Sequence, residues 1–107
     1  MIYWTYLIFA IIFEVIGTTA MKLSDGFTKI VPSITMFVFY LLSLSALTYA
    51  LKKFDVSMAY AIWSGLGTAL ITIVGVYLFK ESMSLMKILS IGLIIIGVIG
   101  LHLSGEH

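Results

Sequence analysis

A single acidic side chain, Glu14, interrupts an otherwise apolar run over residues 2–21. In a helix that rises 1.5 Å per residue, Glu14 lies roughly 10 Å from the nearer end of this run. A carboxylate inside a membrane costs at least ~2.5–3.5 kcal/mol and marks ion paths, proton relays or counter-ions for cations. Glu14 is therefore the first candidate for a proton- or cation-binding residue. The alternative is a protonated side chain that only holds two helices together by hydrogen bonding.

The neighbours of Glu14 define one face of a helix. Residues at three- and four-residue steps share that face. They are Trp4, Leu7, Ile11, Glu14, Thr18 and Met21, with Ala10 and Gly17 flanking the stripe. Small residues beside a carboxylate leave room for a ligand or for a closely packed helix. We predict that this face forms one wall of a substrate pocket, and its pocket-lining members are Trp4, Leu7, Ala10, Ile11, Gly17 and Thr18. The threonine hydroxyl has the alternative of bonding a backbone carbonyl one turn back.

Aromatic residues supply the second part of the predicted site. Tyr40 lies in the middle of the second apolar run, and Tyr60 and Trp63 lie three residues apart in the third. Ring faces attract cations by up to ~2 kcal/mol when desolvated, and a carboxylate adds the counter-charge. We predict a pocket for a lipophilic or quaternary cation. Aromatic residues near the run ends fit the belt at the membrane surface instead; they are Tyr3, Trp4, Tyr6, Tyr49 and Tyr77.

The composition excludes most soluble functions. Of the 107 residues, 62% are hydrophobic and 10% are charged, whereas a soluble domain carries about 25% charged residues. The formal net charge is +1, which gives no electrostatic footprint for DNA or RNA. There is no cysteine for a disulfide, a thiolate metal site or a nucleophile. We therefore expect neither an enzyme nor a metal or cofactor site, and no nucleic-acid partner.

Charged residues divide the chain into four apolar runs, over residues 2–21, 30–51, 56–79 and 85–103. A helix needs about 20 apolar residues to cross a membrane, and a helix satisfies its own backbone hydrogen bonds in lipid. The sequence predicts one all-α domain of four transmembrane helices in the lipid bilayer. Lysines are distributed four to two between the two sides, which is a weak orientation signal under the positive-inside rule. Such a chain can insert both ways round.

Small residues mark packing positions in the third and fourth runs. Gly65 and Gly67 lie in the middle of the third, where glycines indicate either close packing or a kink that acts as a hinge. Ser90 and Gly97 lie one heptad apart on an otherwise apolar face of the fourth. We predict a hinge at Gly65 and Gly67, and a helix–helix contact at Ser90 and Gly97.

One chain of this size has a single intramembrane acid and little bulk to enclose a drug-sized cavity. A homodimer would bring two copies of Glu14 to one central site. If the two copies insert in opposite orientations, the dimer is an inverted repeat. Exchange of conformation between the subunits would then give alternating access.

Three segments carry a resemblance to a known family: residues 14–18 with Lys22, residues 25–29 with Pro32 and Ser33, and residues 59–67. They read Glu-Val-Ile-Gly-Thr, Asp-Gly-Phe-Thr-Lys and Ala-Tyr-Ala-Ile-Trp-Ser-Gly-Leu-Gly. Over essentially its whole length the chain resembles the small multidrug resistance transporters, of the subtype that exports quaternary ammonium compounds. The resemblance implies an antiparallel homodimer in a bacterial plasma membrane that exchanges organic cations for protons.

The resemblance also implies residue roles. Glu14 is the implied shared site for proton and substrate. The implied chamber residues are Trp63, Tyr60, Tyr40, Gly17 and Thr18. Gly65 and Gly67 match the family's kink in the third helix, and Gly97 matches a small residue in its helix-four dimer contact.

Two positions depart from the family pattern. Trp4 stands at the chamber rim, where drug-exporting relatives often carry tyrosine, and Ser90 replaces a glycine in the helix-four contact. Guanidinium exporters of the family usually carry a tryptophan just after the glutamate, whereas residues 15–18 here read Val-Ile-Gly-Thr. This favours the drug-exporting branch. The alternatives are a guanidinium-type exporter, one subunit of a two-gene pair, a passive cation channel, and a non-transporting scaffold in which Glu14 only aids packing.

Overall fold

A computed structural model describes residues 2–104 of the chain. These residues form four α-helices: α1 (Ile2–Leu23), α2 (Ile30–Ala50), α3 (Val56–Leu78) and α4 (Leu85–Leu103). All four are long and apolar enough to cross a membrane, as the hydropathy pattern predicts. Compared with the expected spans, α1 ends two residues later, and α2 and α3 each end one residue earlier.

A short turn folds α2 back against α1. The turn between α1 and α2 passes through left-handed backbone at Asp25, Gly26 and Phe27, with φ of 49°, 68° and 70°. Ser24 is buried beneath this turn, where its hydroxyl donates to the Met21 carbonyl at 2.7 Å and accepts from the Phe27 amide at 3.3 Å. Because these two hydrogen bonds hold the turn closed, α2 begins beside the end of α1.

The central helix of the protomer is α1, which packs against both α2 and α3. The core lies around its first half and includes residues from α1, α2, α3 and the α2–α3 connection. Its members are Leu7, Ala10, Ile11, Val15, Leu47, Ala50, Phe54, Met58, Ala59 and Ile62. One buried polar contact joins α1 to α2, since the Ser43 hydroxyl donates to the Ala10 carbonyl at 2.6 Å. This core fixes the position of α1, which carries Glu14.

The helices form a flat layer rather than a closed bundle. The chain measures 43 × 35 × 18 Å along its principal axes. Helix α4 packs mainly against α3, and within residues 2–104 none of its side chains is buried. Ser90 and Gly97 lie on this uncovered helix, and nothing described lies within 4 Å of a Cβ built at Gly97. The predicted role of these two residues as a contact between chains stays a prediction.

Gly65 allows a close approach between α3 and α4. A Cβ atom there would lie 2.8 Å from Val98 Cγ2 and 3.1 Å from Ile94 Cγ2. We expect Gly65→Ala to lower the free energy of unfolding by about 1–3 kcal/mol, because overpacking forces the two helices apart. Thermal unfolding followed by circular dichroism in detergent measures the change. Gly92→Ala is the matched control, since a Cβ at Gly92 meets open space; equal melting temperatures for the two variants would contradict the prediction.

Candidate functional site

Three side chains from two helices form a hydrogen-bonded chain that ends on Glu14. The Thr18 hydroxyl donates to Glu14 Oε2 at 2.6 Å and lies 2.6 Å from the Tyr40 hydroxyl. A hydroxyl has one hydrogen to donate and an ionised carboxylate can only accept. With Glu14 ionised, Tyr40 therefore donates to Thr18, and Thr18 donates to Glu14. These two hydrogen bonds hold one carboxylate oxygen of Glu14 in place and connect it to α2.

Gly17 is the reason that Tyr40 reaches this position. Gly17 is buried, and a Cβ there would lie 2.6 Å from both Cδ1 and Cε1 of the Tyr40 ring. The ring therefore lies directly on the α1 backbone, one residue before Thr18. Of the two roles expected for a small residue beside Glu14, ligand space and close helix packing, Gly17 has the second, since it makes room for the Tyr40 ring.

Glu14 opens into two cavities that share it and Trp63. The first has a volume of about 270 Å³, and its lining residues are Glu14, Tyr40, Ser43, Leu44 and Trp63. The second has a volume of about 180 Å³, and its lining residues are Glu14, Trp63, Ser64, Gly67, Thr68 and Ile71. The carboxylate can thus be approached from the α2 side and from the α3 side, and Trp63 lines both approaches.

Trp63 carries an unused hydrogen-bond donor. Its Nε1 atom is buried and has no hydrogen-bond partner in the part of the chain that the structure describes. Leaving a buried donor unpaired costs about 1–3 kcal/mol. The indole ring also contacts the Tyr60 ring, with centroids 5.3 Å apart. Tyr60 itself is 58% exposed and lies at the edge of the protomer.

The remaining pocket candidates lie away from the carboxylate. Leu7, Ala10 and Ile11 are buried in the core, because α2 and α3 cover this half of α1. Trp4 packs edge-on against Phe54, with centroids 4.9 Å apart, and against His102 at 5.2 Å. None of these four candidates, nor Tyr60, lines either cavity at Glu14 in the described protomer. Their role in a substrate pocket stays a prediction.

The two mid-span glycines of α3 lie where neighbouring groups come close. A Cβ at Gly67 would be 3.0 Å from Glu14 Oε1, so this glycine makes space for the second carboxylate oxygen. Gly65 makes space for α4, as described above. Both glycines lie within one uninterrupted α-helix, Val56–Leu78. The hinge assigned to them stays a prediction.

Hydroxyl groups on α3 belong to the site although the sequence did not single them out. Ser64 and Thr68 line the second cavity. Their hydroxyls bond carbonyls of the preceding turn, Ser64 to Tyr60 at 2.8 Å and Thr68 to Ser64 at 2.7 Å. Because serine and threonine bond backbone in this way in any apolar helix, the sequence gives no signal that separates these two from the rest. Among the described residues, no group of three histidine or acidic side chains could hold a metal ion.

Comparison with known proteins places the chain among bacterial membrane proteins of one family. A profile of the Small Multidrug Resistance protein family matches residues 2–94. The chain is 57% identical over 104 residues to the membrane protein YvaE of Bacillus subtilis, covering 97% of this chain and 87% of YvaE. It is 40% identical over 104 residues to the quaternary ammonium compound-resistance protein QacG of Staphylococcus sp., covering 97% of each.

A guanidinium exporter of Yersinia pseudotuberculosis is also similar, with 43% identity over 101 residues that cover 94% of this chain and 97% of the exporter. The family profile covers most of the chain, and these three relatives align with nearly all of it. The chain belongs to the Small Multidrug Resistance protein family.

Proposed function

We propose that this chain exports lipophilic and quaternary ammonium cations in exchange for protons, and that both ligands compete for Glu14. Proteins of this family are transporters rather than enzymes, and this chain is a multi-pass protein of the bacterial plasma membrane. The observation that carries the proposal is the Glu14 carboxylate. It opens into two cavities inside an apolar span and faces the Trp63 indole in both.

The chemistry of these side chains suits an organic cation. The carboxylate provides the counter-charge, and the faces of Trp63 and Tyr40 attract a desolvated cation. The cavity walls are otherwise apolar or carry hydroxyls already bonded within the protein, so they suit the hydrocarbon substituents of a quaternary ammonium ion. The resistance phenotype in the name of QacG supports this substrate class.

Competition for one carboxylate couples the two ligands. A proton on Glu14 removes the charge that a cation needs, so loading one ligand releases the other. If two protons enter while one monovalent cation leaves, one net charge moves inward. A membrane potential of 100 mV then contributes ~2.3 kcal/mol per cycle, and each unit of pH gradient contributes ~1.4 kcal/mol per proton.

We propose that the working unit is an antiparallel homodimer. Helix α4 packs on α3 alone among the main helix contacts, and none of its described side chains is buried, which leaves a surface for a second copy to bind. The weak lysine bias supports insertion in both orientations. Two opposed copies would form an inverted repeat with two Glu14 carboxylates at one site, which is the arrangement that alternating access needs. Ser90 and Gly97 are the proposed dimer contacts.

Guanidinium export is the second candidate. The guanidinium exporter from Yersinia pseudotuberculosis is as similar to this chain as QacG is, at 43% against 40% identity. A guanidinium ion is planar and hydrophilic and needs hydrogen-bond acceptors around it. The Ser43, Ser64 and Thr68 hydroxyls donate to backbone carbonyls and keep lone pairs that could accept from a guanidinium. The remaining walls of the two cavities are aromatic and aliphatic, and these walls favour the lipophilic cation.

Binding across pH 5–9 tests the proposal. We expect tetraphenylphosphonium to bind more tightly as pH rises, by up to about tenfold per unit for each proton that it displaces. Guanidinium is expected to bind more weakly than tetraphenylphosphonium at every pH. Isothermal titration calorimetry of the purified protein measures both. Binding of tetraphenylphosphonium that does not change with pH would contradict proton competition, and preferential binding of guanidinium would support the second candidate.

A further inference from the structure

A third cavity lies where α1 and α3 end, beside the loop to α4. Its volume is about 200 Å³, and its lining residues are Thr18, Lys22, Ile71, Thr72, Gly75, Phe79 and Glu81. We call it the outer cavity. It contains one cationic and one anionic side chain, Lys22 and Glu81, and neither has a role in the function proposed above. Lys22 lies in the last turn of α1, so the outer cavity is at the end of the span.

The outer cavity is connected to Glu14 through two residues. Thr18 lines it, and the same Thr18 hydroxyl donates to Glu14 Oε2. Ile71 lines both the outer cavity and the second Glu14 cavity. Along α1, Glu14, Thr18 and Lys22 follow at four-residue steps, which place Lys22 about 12 Å from Glu14 along the helix axis. The outer cavity is therefore the next space between Glu14 and the end of the span.

The chain after α3 is folded so that Glu81 turns back into this cavity. Lys80 has left-handed backbone, with φ of 56°, and the Glu81 amide donates to the Gly75 carbonyl at 3.0 Å. The Glu81 carboxylate lies over Gly75, where a Cβ atom would overlap its Oε1. A buried glycine one turn before the end of α3 thus makes space for the Glu81 carboxylate, while the residue as a whole stays exposed.

We propose that Glu81 is an outer cation-binding residue that compensates the charge of Lys22 and receives the organic cation on its way to or from Glu14. An uncompensated ammonium at the mouth would repel every cationic substrate, whereas a carboxylate in the same cavity attracts it. The proposal rests on the proposed function, because the cation is the same. It assigns Glu81 a role in the rate of cation passage rather than in the affinity of the central site.

A single introduced thiol can measure the charge of the outer cavity without any substrate. The chain has no cysteine, so Thr72→Cys places one reporter in the cavity wall. Trimethylammonium and sulfonate methanethiosulfonate reagents then react with it in the purified protein. We expect Glu81→Gln to lower the cationic-to-anionic rate ratio about fivefold, and Lys22→Gln to raise it by a similar factor. Asp25→Asn is the matched control, since Asp25 is an acid of the α1–α2 turn that does not line the cavity.

Gly75→Ala gives an independent variant that keeps every charge. Its new methyl group displaces the end of a flexible side chain, so the helix is expected to fold as before and to gain helix propensity. We expect the rate ratio to shift in the same direction as in Glu81→Gln, because the carboxylate is moved out of the cavity. A ratio unchanged in both Glu81→Gln and Gly75→Ala would overturn the proposal.

Stopped-flow measurement of tetraphenylphosphonium binding tests the route. We expect Glu81→Gln to slow association about fivefold, and Lys22→Gln added to Glu81→Gln to restore it, since the unpaired ammonium is then gone. Association that is unchanged in Glu81→Gln would overturn the route through this cavity. Absence of tetraphenylphosphonium and guanidinium binding by the wild-type chain would instead contradict the proposed function, while the thiol ratios would still decide the charge of the outer cavity.

Discussion

Replacing Glu14 with glutamine is expected to weaken tetraphenylphosphonium binding about 100-fold or more and to abolish proton-driven export. Glutamine keeps the size of the side chain and its bond to Thr18, so the change removes the charge with little effect on packing. Opposite unit charges 4 Å apart interact by about 4 kcal/mol at an effective dielectric of 20. A bulky cation is held farther from the carboxylate, so its attraction is smaller than 4 kcal/mol. We therefore expect a loss of affinity of about 100-fold.

Two control variants make this result specific. Glu14→Asp keeps the carboxylate and is expected to retain cation binding and coupling, although the shorter side chain withdraws from Thr18. Asp25→Asn removes an acid from the exposed turn between α1 and α2 and is expected to change neither. Calorimetry and export from proteoliposomes with an imposed pH gradient measure the two effects. Persistent proton-driven export by Glu14→Gln would contradict the central role of this carboxylate and return it to helix packing.

Removing the indole of Trp63 is the second large change. We expect Trp63→Ala to weaken tetraphenylphosphonium binding about 30-fold, because a desolvated cation–π contact contributes ~2 kcal/mol. Trp63→Phe keeps a ring face and is expected to lose only a few-fold. Calorimetry measures both affinities, and a melting curve for each variant separates a loss of binding from a loss of fold.

The other tryptophan provides the matched control for Trp63. Trp4 lies outside both Glu14 cavities, packed between Phe54 and His102. In this protomer its replacement by phenylalanine removes a contact between α1 and α4 without touching the carboxylate. Equal losses of affinity in Trp63→Phe and Trp4→Phe would place the Trp4 side chain nearer the cation than one protomer does. Unchanged affinity in both Trp63→Ala and Trp63→Phe would contradict the assignment of Trp63 to the site.

The spans and the acidic centre could be predicted because each depends on one chemical contrast. Charged residues are rare enough here that their positions alone separate four helices. Glu14 is conspicuous because a carboxylate inside an apolar run has few tolerated uses. The grouping of Thr18, Tyr40 and Trp63 with Glu14 followed from helical spacing and from aromatic chemistry, and these four side chains do lie together.

The rest of the site depends on how the helices meet. Leu7 and Ile11 share a helical face with Glu14 by spacing, yet both are buried because α2 and α3 cover the first half of that face. Gly17 could not be paired with Tyr40, since the crossing and rotation of α1 and α2 decide which ring meets which glycine. Glu81 is remote from Glu14 in the sequence. It reaches the outer cavity because Lys80 adopts a left-handed backbone conformation, which is uncommon for lysine and could not be predicted from the sequence.

The thickness of the helix layer has a consequence for how the protein is made. A chain only 18 Å thick along its shortest axis has no interior deep enough to hide Glu14 on its own, and the acid is only half-buried in the described protomer. In the proposed dimer, the second copy would supply the missing wall. Folding and assembly would then be one equilibrium, so stability would rise with the amount of protein in the membrane. The level of expression would then set the fraction of chains that are folded and dimeric as well as their number. Newly inserted chains would stay vulnerable to proteolysis until they met a copy of opposite orientation.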